Sequence, residues 1–490
     1  MKIHGIVVVT VVFVVAAGCR STPPLPVSQH SQRPIHPSPS SVTLRDPASV
    51  GHVSYEQSES QLDGKTVRAE VSSFTDAISV NSGDTQRTIT LSELQALAIE
   101  NNPTIQATAA TTQKAAGYLT QVGLRPNPTV GYQAVQLADQ GTDQHTLFFE
   151  RQFIRGGKLE LNRQVLNEAL RAQRFELDAQ QIRVLTDVEI KFYEVLAAQR
   201  RVELVSEFGG VVEKGMELSE TRFRAQEGTK VDVLQAKIQK NEIDLARQQA
   251  EIALTTAWTE LVAIAGTPGL PLMHVSGDLP EQAERLDWNS LASEIVANSP
   301  EMQAARSRIA RARANLTRQG VQAIPNVTAQ IAAGVDNSTN SGLINLQVGV
   351  PLTVNNRNQG NISAAQAEYC RSVKDAERIE LSIKARLAAI SREYDSALAA
   401  VEQFSLEILP SAMESLQLAD VSYKAGESSF VQVLVARKTF FDSNISFLDA
   451  QSQLAQARAK FAGSTLTGAL DSVIDESGDD GLRDQALDQQ

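Results

Sequence analysis

The chain writes one phrase twice. Phe223 to Ala236 reads FRAQEGTKVDVLQA and Tyr423 to Ala436 reads YKAGESSFVQVLVA, with six of fourteen positions identical at an offset of 200. A second echo lies upstream. LSELQALAIENNPTIQAT (91–108) aligns with WNSLASEIVANSPEMQAA (288–305) at an offset of 197, which sets Pro103 against Pro300, Gly123 against Gly320 and Pro128 against Pro325. A period near 200 residues is far too long for a solenoid repeat. It marks a duplicated half, with units over 88–266 and 288–467 and a linker over 267–287.

Each half repeats one internal order. A helix is expected over 91–122 and again over 288–319, started by a capping Thr90 or Ser92 in the first half. Two short alternating segments follow. Val327, Ala329, Ile331, Ala333 and Val335 alternate with small or polar residues, as do Ile344, Leu346, Val348 and Val350. This is the period-2 signature of strands of about nine residues, separated by the turn DNSTNSG. PTVGYQAVQL and TLFFERQF are the weaker equivalents in the first half. Long helices come next. No proline interrupts 157–225, and only Pro410 interrupts 359–425. Apolar residues recur there at helical spacing, as in Val184, Val188, Phe192, Val195, Val202 and Val205. Such a rod is roughly 100 Å long at 1.5 Å per residue. Gly209–Gly210 and Pro410 stand at matching places, where a bend or break is expected. The repeated phrase then turns the chain back into a helix of about 35 residues, 231–265 or 431–465.

Composition agrees with long helices. The chain of 490 residues is 42% hydrophobic but only 5% aromatic. No basic patch with interleaved aromatics is present, which excludes a nucleic-acid partner. The net charge is −12, and Asp471, Asp475, Glu476, Asp479, Asp480, Asp484 and Asp488 stand against only Arg483 near the C-terminus. Residues 468–490 are therefore expected to be a disordered acidic tail. At the other end, Lys2, the apolar run Ile6–Val15 and the small residues before Cys19 form a secretory signal over 1–18. AAGC resembles a bacterial lipoprotein cleavage site and implies acylation of Cys19. No Asp follows Cys19, so the usual inner-membrane retention signal is missing. Residues 19–87, rich in Ser, Pro and Gln, read as a disordered tether. Cys370 is expected to be a small buried apolar residue.

Strands of nine residues with one apolar face suit a tilted crossing of an outer membrane. Four strands cannot close, and an open edge in lipid is not tolerated. The barrel must be completed by copies of the chain. Two copies give eight strands, with an interior filled by side chains. Three give twelve and hold water, the option favoured by Gln330, Asn345 and Gln347 on the polar face. A soluble helical rod with two hairpins is the plainer alternative, but it needs neither a secretion signal nor a period-2 apolar face.

The ordered chain over 88–467 resembles the TolC family of outer-membrane efflux factors. The resemblance rests on the twofold repeat together with NNPTIQA, AGYLTQVGLRPNPTVGY, IRGGKLELNR, KFYEVLAAQRRVEL and YKAGESSFVQVLVA in that order. LRPNP followed by RGGK is similar to the CzcC-like heavy-metal branch. The fold it implies is mainly α with a small β part. Long helical hairpins form a periplasmic α-barrel, and four strands per chain enter a trimeric twelve-stranded β-barrel. The implied partners are two further copies, outer-membrane lipid, a periplasmic adaptor and an inner-membrane pump, here of the RND type. The implied role is a passive gated duct exporting metal cations. A drug-efflux or type I secretion duct remains open, as does a periplasmic coiled-coil scaffold or adhesin.

The resemblance also assigns the hairpin tips to adaptor docking. In the second half these are Tyr423, Lys424, Ala425, Gly426, Glu427 and Ser428. In the first half they are Arg224, Ala225, Glu227 and Gly228, with Gln226 standing where the turn glycine aligns. A turn glycine needed only for left-handed backbone is the plainer reading. The periplasmic entrance maps onto Asp232, Gln432 and Val435, so only the first tip offers a carboxylate, to pair with Arg224, Lys230 or a neighbouring chain. An ordinary helix-start carboxylate is its equal alternative. No metal site or cofactor is expected. The six histidines are scattered, no cysteine pair exists and the methionines are isolated, so only a loose role for His30, His36 and His52 is left. No catalytic constellation is visible, and the chain reads as a non-enzyme.

Overall fold

The computed structural model describes residues 88–138 and 141–488. The signal segment, Cys19 and the tether lie outside the described residues. Strand β1 (Thr88–Thr90) leads into α1 (Leu91–Asn101) and α2 (Pro103–Val122). Strands β2 (Thr129–Val135) and β3 (Gln144–Phe153) follow, then α3 (Lys158–Arg224), α4 (Lys230–Ile264) and a short β4 (His274–Ser276). The second half gives α5 (Trp288–Asn298), α6 (Pro300–Gly320), β5 (Val327–Asp336), β6 (Ser341–Gly349) and α7 (Gln359–Gln403). It continues through a π turn (Phe404–Ile408) to α8 (Leu409–Lys424), α9 (Phe430–Ala462) and a C-terminal α10 (Leu482–Leu487). Corresponding elements start 197 or 198 residues apart up to the second hairpin and 200 or 201 apart after it. The extra residues lie in 350–358, which connects β6 to α7 where 154–157 connects β3 to α3.

Two helical expectations are corrected. The first helix of each half is broken. Asn102 ends α1 with extended backbone and caps α2, its side-chain oxygen accepting from Thr104 N at 2.9 Å. Pro103 then takes the first helical position, where its missing N–H costs nothing. Ser299 and Pro300 repeat the break. Conversely, Gly209–Gly210 breaks nothing, and α3 runs unbroken for 67 residues. Each glycine costs about 1 kcal/mol in a helix, less than the packing of Val205, Val212 and Ile243 around it supplies. A Cβ on Gly209 would already touch Ile243 at 3.4 Å. The matching Pro410 does disturb its rod, which widens to the π turn just before the ring.

The sheet has the order β2-β3-β5-β6, antiparallel throughout, so β3 and β5 join the two halves. A separate parallel pair of β1 with β4, absent from the sequence reading, anchors the start of the first half. The main core lies between α1, α3 and α4, around Leu94, Val188, Phe192, Trp258 and Leu261. Its counterpart in the second half gathers Tyr394, Leu398, Val401 and Leu454.

The expectation of a disordered acidic tail is also corrected for residues 468–488. The segment is a packed strap. Asp187 of α3 accepts from Gly468 N and Ala469 N at 2.9 and 2.7 Å. Gln173 donates to Ile474 O, Asn162 to Leu482 O and Asn326 to Ala486 O. Glu476 receives both bonds of Arg308 Nε at 2.8 Å, Asp480 pairs with Arg311 and Asp475 with Lys114. Leu482 fills a core with Val122, Val165, Leu166 and Ala169. The acids are spaced to meet basic side chains of α2 and α6, which composition alone does not reveal. Cys370 is half-buried rather than buried.

Candidate functional site

Two surfaces of the described residues matter most for function: one face of the sheet and the two hairpin tips. Register decides the first. Tyr132 pairs with Leu147, Leu147 with Ala333 and Ala333 with Ile344. Val130, Phe149, Ile331 and Leu346 make the next row on the same face. Most of these large apolar side chains are well over half exposed, Leu346 at 74% and Ile344 at 75%. The opposite face carries a row of Thr129, Glu150, Gln330 and Gln347, and another of Gly131, Phe148, Ala332 and Asn345. The ring of Phe148 lies over Gly131, where a Cβ would come within 2.5 Å of it. One face is thus oily and open, the other polar. Strands β2 and β6 are each paired on one side only.

The tips share one backbone motif, and this answers why the phrase is written twice. At the first tip Glu227 N donates to Arg222 O at 2.9 Å and Gln226 N to Phe223 O at 3.1 Å. At the second, Glu427 N donates to Ser422 O at 2.9 Å and Gly426 N to Tyr423 O at 3.1 Å. Both are Schellman caps, in which the residue after the cap adopts left-handed backbone. Those residues are Gln226 at φ 62° and Gly426 at φ 80°. Gly228 keeps ordinary backbone, so the first tip uses glutamine where the second uses glycine. Ala225 and Ala425 are the caps, and their N–H groups return to Thr221 O and Val421 O.

The remaining tip residues fall as follows. Arg224, at the end of α3, pairs with Glu220 at 3.1 Å. Lys424 ends α8. Ser428 N shares the Ser422 carbonyl at 3.3 Å. Asp232 pairs with neither Arg224 nor Lys230. Its Oδ2 accepts from Thr229 N at 2.9 Å and Thr229 Oγ1 at 2.7 Å, a capping box that starts α4. Gln432 and Val435 lie on the exposed side of α9, Val435 at 60% exposure.

Sequence reasoning missed the contact that joins the tips. Arg222 of α3 donates from Nη1 to the hydroxyl of Tyr423 of α8, and its guanidinium sits 5.0 Å from the centre of that ring. The two residues lie 201 apart, and no local pattern announces the pair. Higher up, Phe208 and Phe441 stack at 4.5 Å and hold α3 to α9. Laterally, α4 shows Val231, Ile238, Leu245 and Ile252, all more than half exposed and spaced by sevens. Leu406, Met413, Leu418 and Val421 are exposed along the π turn and α8. Among the described residues no cluster of His, Cys, Asp and Glu could hold a metal ion. No described helix is long and apolar enough to cross a membrane.

The profile of the family described as "Outer membrane efflux protein" matches residues 94–267 and 291–465, the same two halves. The chain belongs to this family. Members are passive channels of the TolC type, not enzymes, and this outer membrane efflux protein carries the mainly helical TolC-type fold with its small sheet. It is 26% identical over 378 residues to the "Cobalt-zinc-cadmium resistance protein CzcC" of Cupriavidus metallidurans, covering 75% of this chain and 88% of that one. It is 25% identical to the "Cation efflux system protein CusC" of Escherichia coli, over 43% of this chain and 48% of that one. Among solved structures, VceC from Vibrio cholerae aligns with TM-score 0.63 at 20% identity over 77% of this chain and 96% of its own. CusC aligns with TM-score 0.64 at 17% identity, over 78% and 93%. The fold and the efflux-channel class are thus established for this efflux protein.

Proposed function

We propose that three copies of this efflux protein close a twelve-stranded barrel in the outer membrane, and that its helices form a periplasmic duct exporting metal cations. The observation that carries this reading is the unfinished sheet. One face is continuous and oily, the other is polar, and β2 and β6 each have a bare edge. Bare edges in hydrocarbon are not tolerated. Joining β6 of one copy to β2 of the next removes them and leaves Glu150, Gln330 and Gln347 facing water. The exposed seam of α4 and that of α8 would meet across the same junction, because α4 packs on α3 and α8 on α9, at opposite ends of the row that α3 and α9 form. Mass and conductance test it together: a detergent-extracted particle of three chains, each 53.0 kDa before processing, that passes single-channel current. A stable monomer that carries no current would sink it.

The tips are the surface proposed for a periplasmic adaptor, itself bound to an RND-type inner-membrane pump. Tyr423 to Ser428 and Arg224 to Gly228 present exposed turns there, beside Gln432 and Val435. Metal cations are proposed as cargo because two relatives are named for cobalt-zinc-cadmium resistance and cation efflux. Among the described residues the chain offers no ligand cluster for a metal, so selection would rest with the pump. A deletion strain should become sensitive to cobalt, zinc or cadmium. Sensitivity to drugs alone would reassign the cargo. Acylation of Cys19 is proposed as the anchor, tested by the mass of the mature N-terminal peptide.

A further inference from the structure

Two cations are buried together where β3 runs into α3, and among the described residues no carboxylate pairs with either. Lys158 is the first residue of α3 and is 2% exposed; Arg318, in the last turn of α6, is 0% exposed. Lys158 Nζ donates to Asn326 Oδ1 at 3.2 Å, and Arg318 Nε donates to Asn162 Oδ1. Both amides are fixed by the strap, because their nitrogens donate to Ala486 O and Leu482 O at 2.8 Å. The two terminal nitrogens of Arg318, Nη1 and Nη2, are buried and have no hydrogen-bond partner among the described residues. Burial and the neighbouring Arg318 push Lys158 down to about 8, and burial pushes Arg318 down to about 10, with no carboxylate acting on either.

The start of α3 adds to the positive potential. Its cap, Gly157, has left-handed backbone and makes no side-chain capping bond to the first N–H groups of this 67-residue helix. A guanidinium does not shed its proton. A buried charge without a counter-charge is strongly destabilising, and buried donors without acceptors point to a missing ion or water. A neighbouring copy cannot supply the carboxylate, because this chain itself seals both side chains from the surface.

We propose that this buried site binds a small inorganic anion, a monatomic halide, against the free Nη groups of Arg318 and beside Lys158. Sealing favours a single atom over an oxyanion. The ion would brace the joint between the sheet and the helices and hold the strap through Asn162 and Asn326. Nothing in this inference depends on the pore or its cargo.

The test uses the full chain purified in detergent, with chloride and bromide as probes. At constant ionic strength, replacing gluconate by chloride should raise the unfolding midpoint with the logarithm of its concentration, by about 3 °C at a hundredfold excess over the dissociation constant. Crystals grown in bromide should give an anomalous peak beside the guanidinium of Arg318. Arg318→Met should remove both signals. If that variant does not fold, the bromide measurement on the wild-type protein still decides. A midpoint indifferent to halide with no anomalous peak overturns the proposal. So does stabilisation by sulfate or phosphate instead of halide.

Discussion

Leu482→Ala is the sharpest probe of the C-terminal strap. Leu482 is 1% exposed and sits among Val122 of α2 and Val165, Leu166 and Ala169 of α3. Truncating a leucine so enclosed costs about 3–5 kcal/mol, from lost transfer energy and the cavity left behind. On a solvated tail the same change costs less than about 0.5 kcal/mol. Trypsin reads the difference. Arg483, the next residue, donates from Nη1 to Gln121 O at 2.6 Å and Leu124 O at 2.8 Å, so cleavage after it requires the strap to open. When opening is fast relative to cutting, the rate follows the open population. A loss of about 3 kcal/mol, at about 1.4 kcal/mol per decade, predicts cleavage faster by roughly a hundredfold. The cleavage product is followed by mass spectrometry across a protease titration, with a remote lysine site as control. A change below threefold, or wild-type cleavage at the rate of a free peptide, refutes the packed strap.

Four further outcomes follow from the same geometry. Gln226→Gly relieves a left-handed non-glycine residue and should slow hydrogen exchange at the first tip by about fivefold, for a gain near 1 kcal/mol, whereas Gly426→Ala should speed it at the second. Tyr423→Leu removes the ring and hydroxyl that hold Arg222 and should speed exchange of the Gln226 and Glu227 amides about tenfold, with Tyr423→Phe intermediate; an unchanged first tip would mean that the hairpins are not coupled. Gly426→Trp should abolish export yet leave trimers intact on a sizing column, since no atom lies within 4 Å of the added Cβ; normal metal resistance in that variant would remove the tip from the docking surface. Burial opposes ionisation of Glu301, but Arg386 and Arg183 outweigh it and hold the carboxyl below its usual 4.5. That contribution to stability is full above about pH 4.5 and fades as the pH falls through the lowered value, so the acid slope of the unfolding midpoint should flatten in Glu301→Gln and not in an exposed control such as Glu227→Gln.

Most of the fold was legible because it is written in periods. The alternation at Val327–Val335 and Ile344–Val350 located strands, and the spacing of Val184, Val188 and Phe192 located a rod. Duplication doubled each signal: β2 and β3 are weak strands by pattern, yet they fall where β5 and β6 require them. Where periodicity was the only guide, local chemistry corrected it. Asn102 caps a helix with its side chain, Ser299 holds the same place without a side-chain bond, each before a proline, and no apolar stripe registers such a break. Gly209–Gly210 failed to break α3 because Ile243 of α4 packs at Gly209 and Val205 and Val212 hold the turns on either side, while Gly210 faces open space.

What stayed illegible is pairing between residues far apart in the chain. The strap looked like a solvated tail because its seven acids were weighed against its own single arginine. Three of them, Asp475, Glu476 and Asp480, pair with Lys114, Arg308 and Arg311, more than 160 residues upstream. The same holds for Arg222 with Tyr423 and for Lys158 with Arg318. The buried pair differs in one respect. An Arg on an Arg-rich helix reads as solvated, and helix α6 carries Arg306, Arg308, Arg311, Arg313 and Arg318. Only the fold shows that Arg318 turns inward with two donors free. A charge count cannot separate an arginine in water from one sealed under a strap, yet the second demands an anion and the first does not.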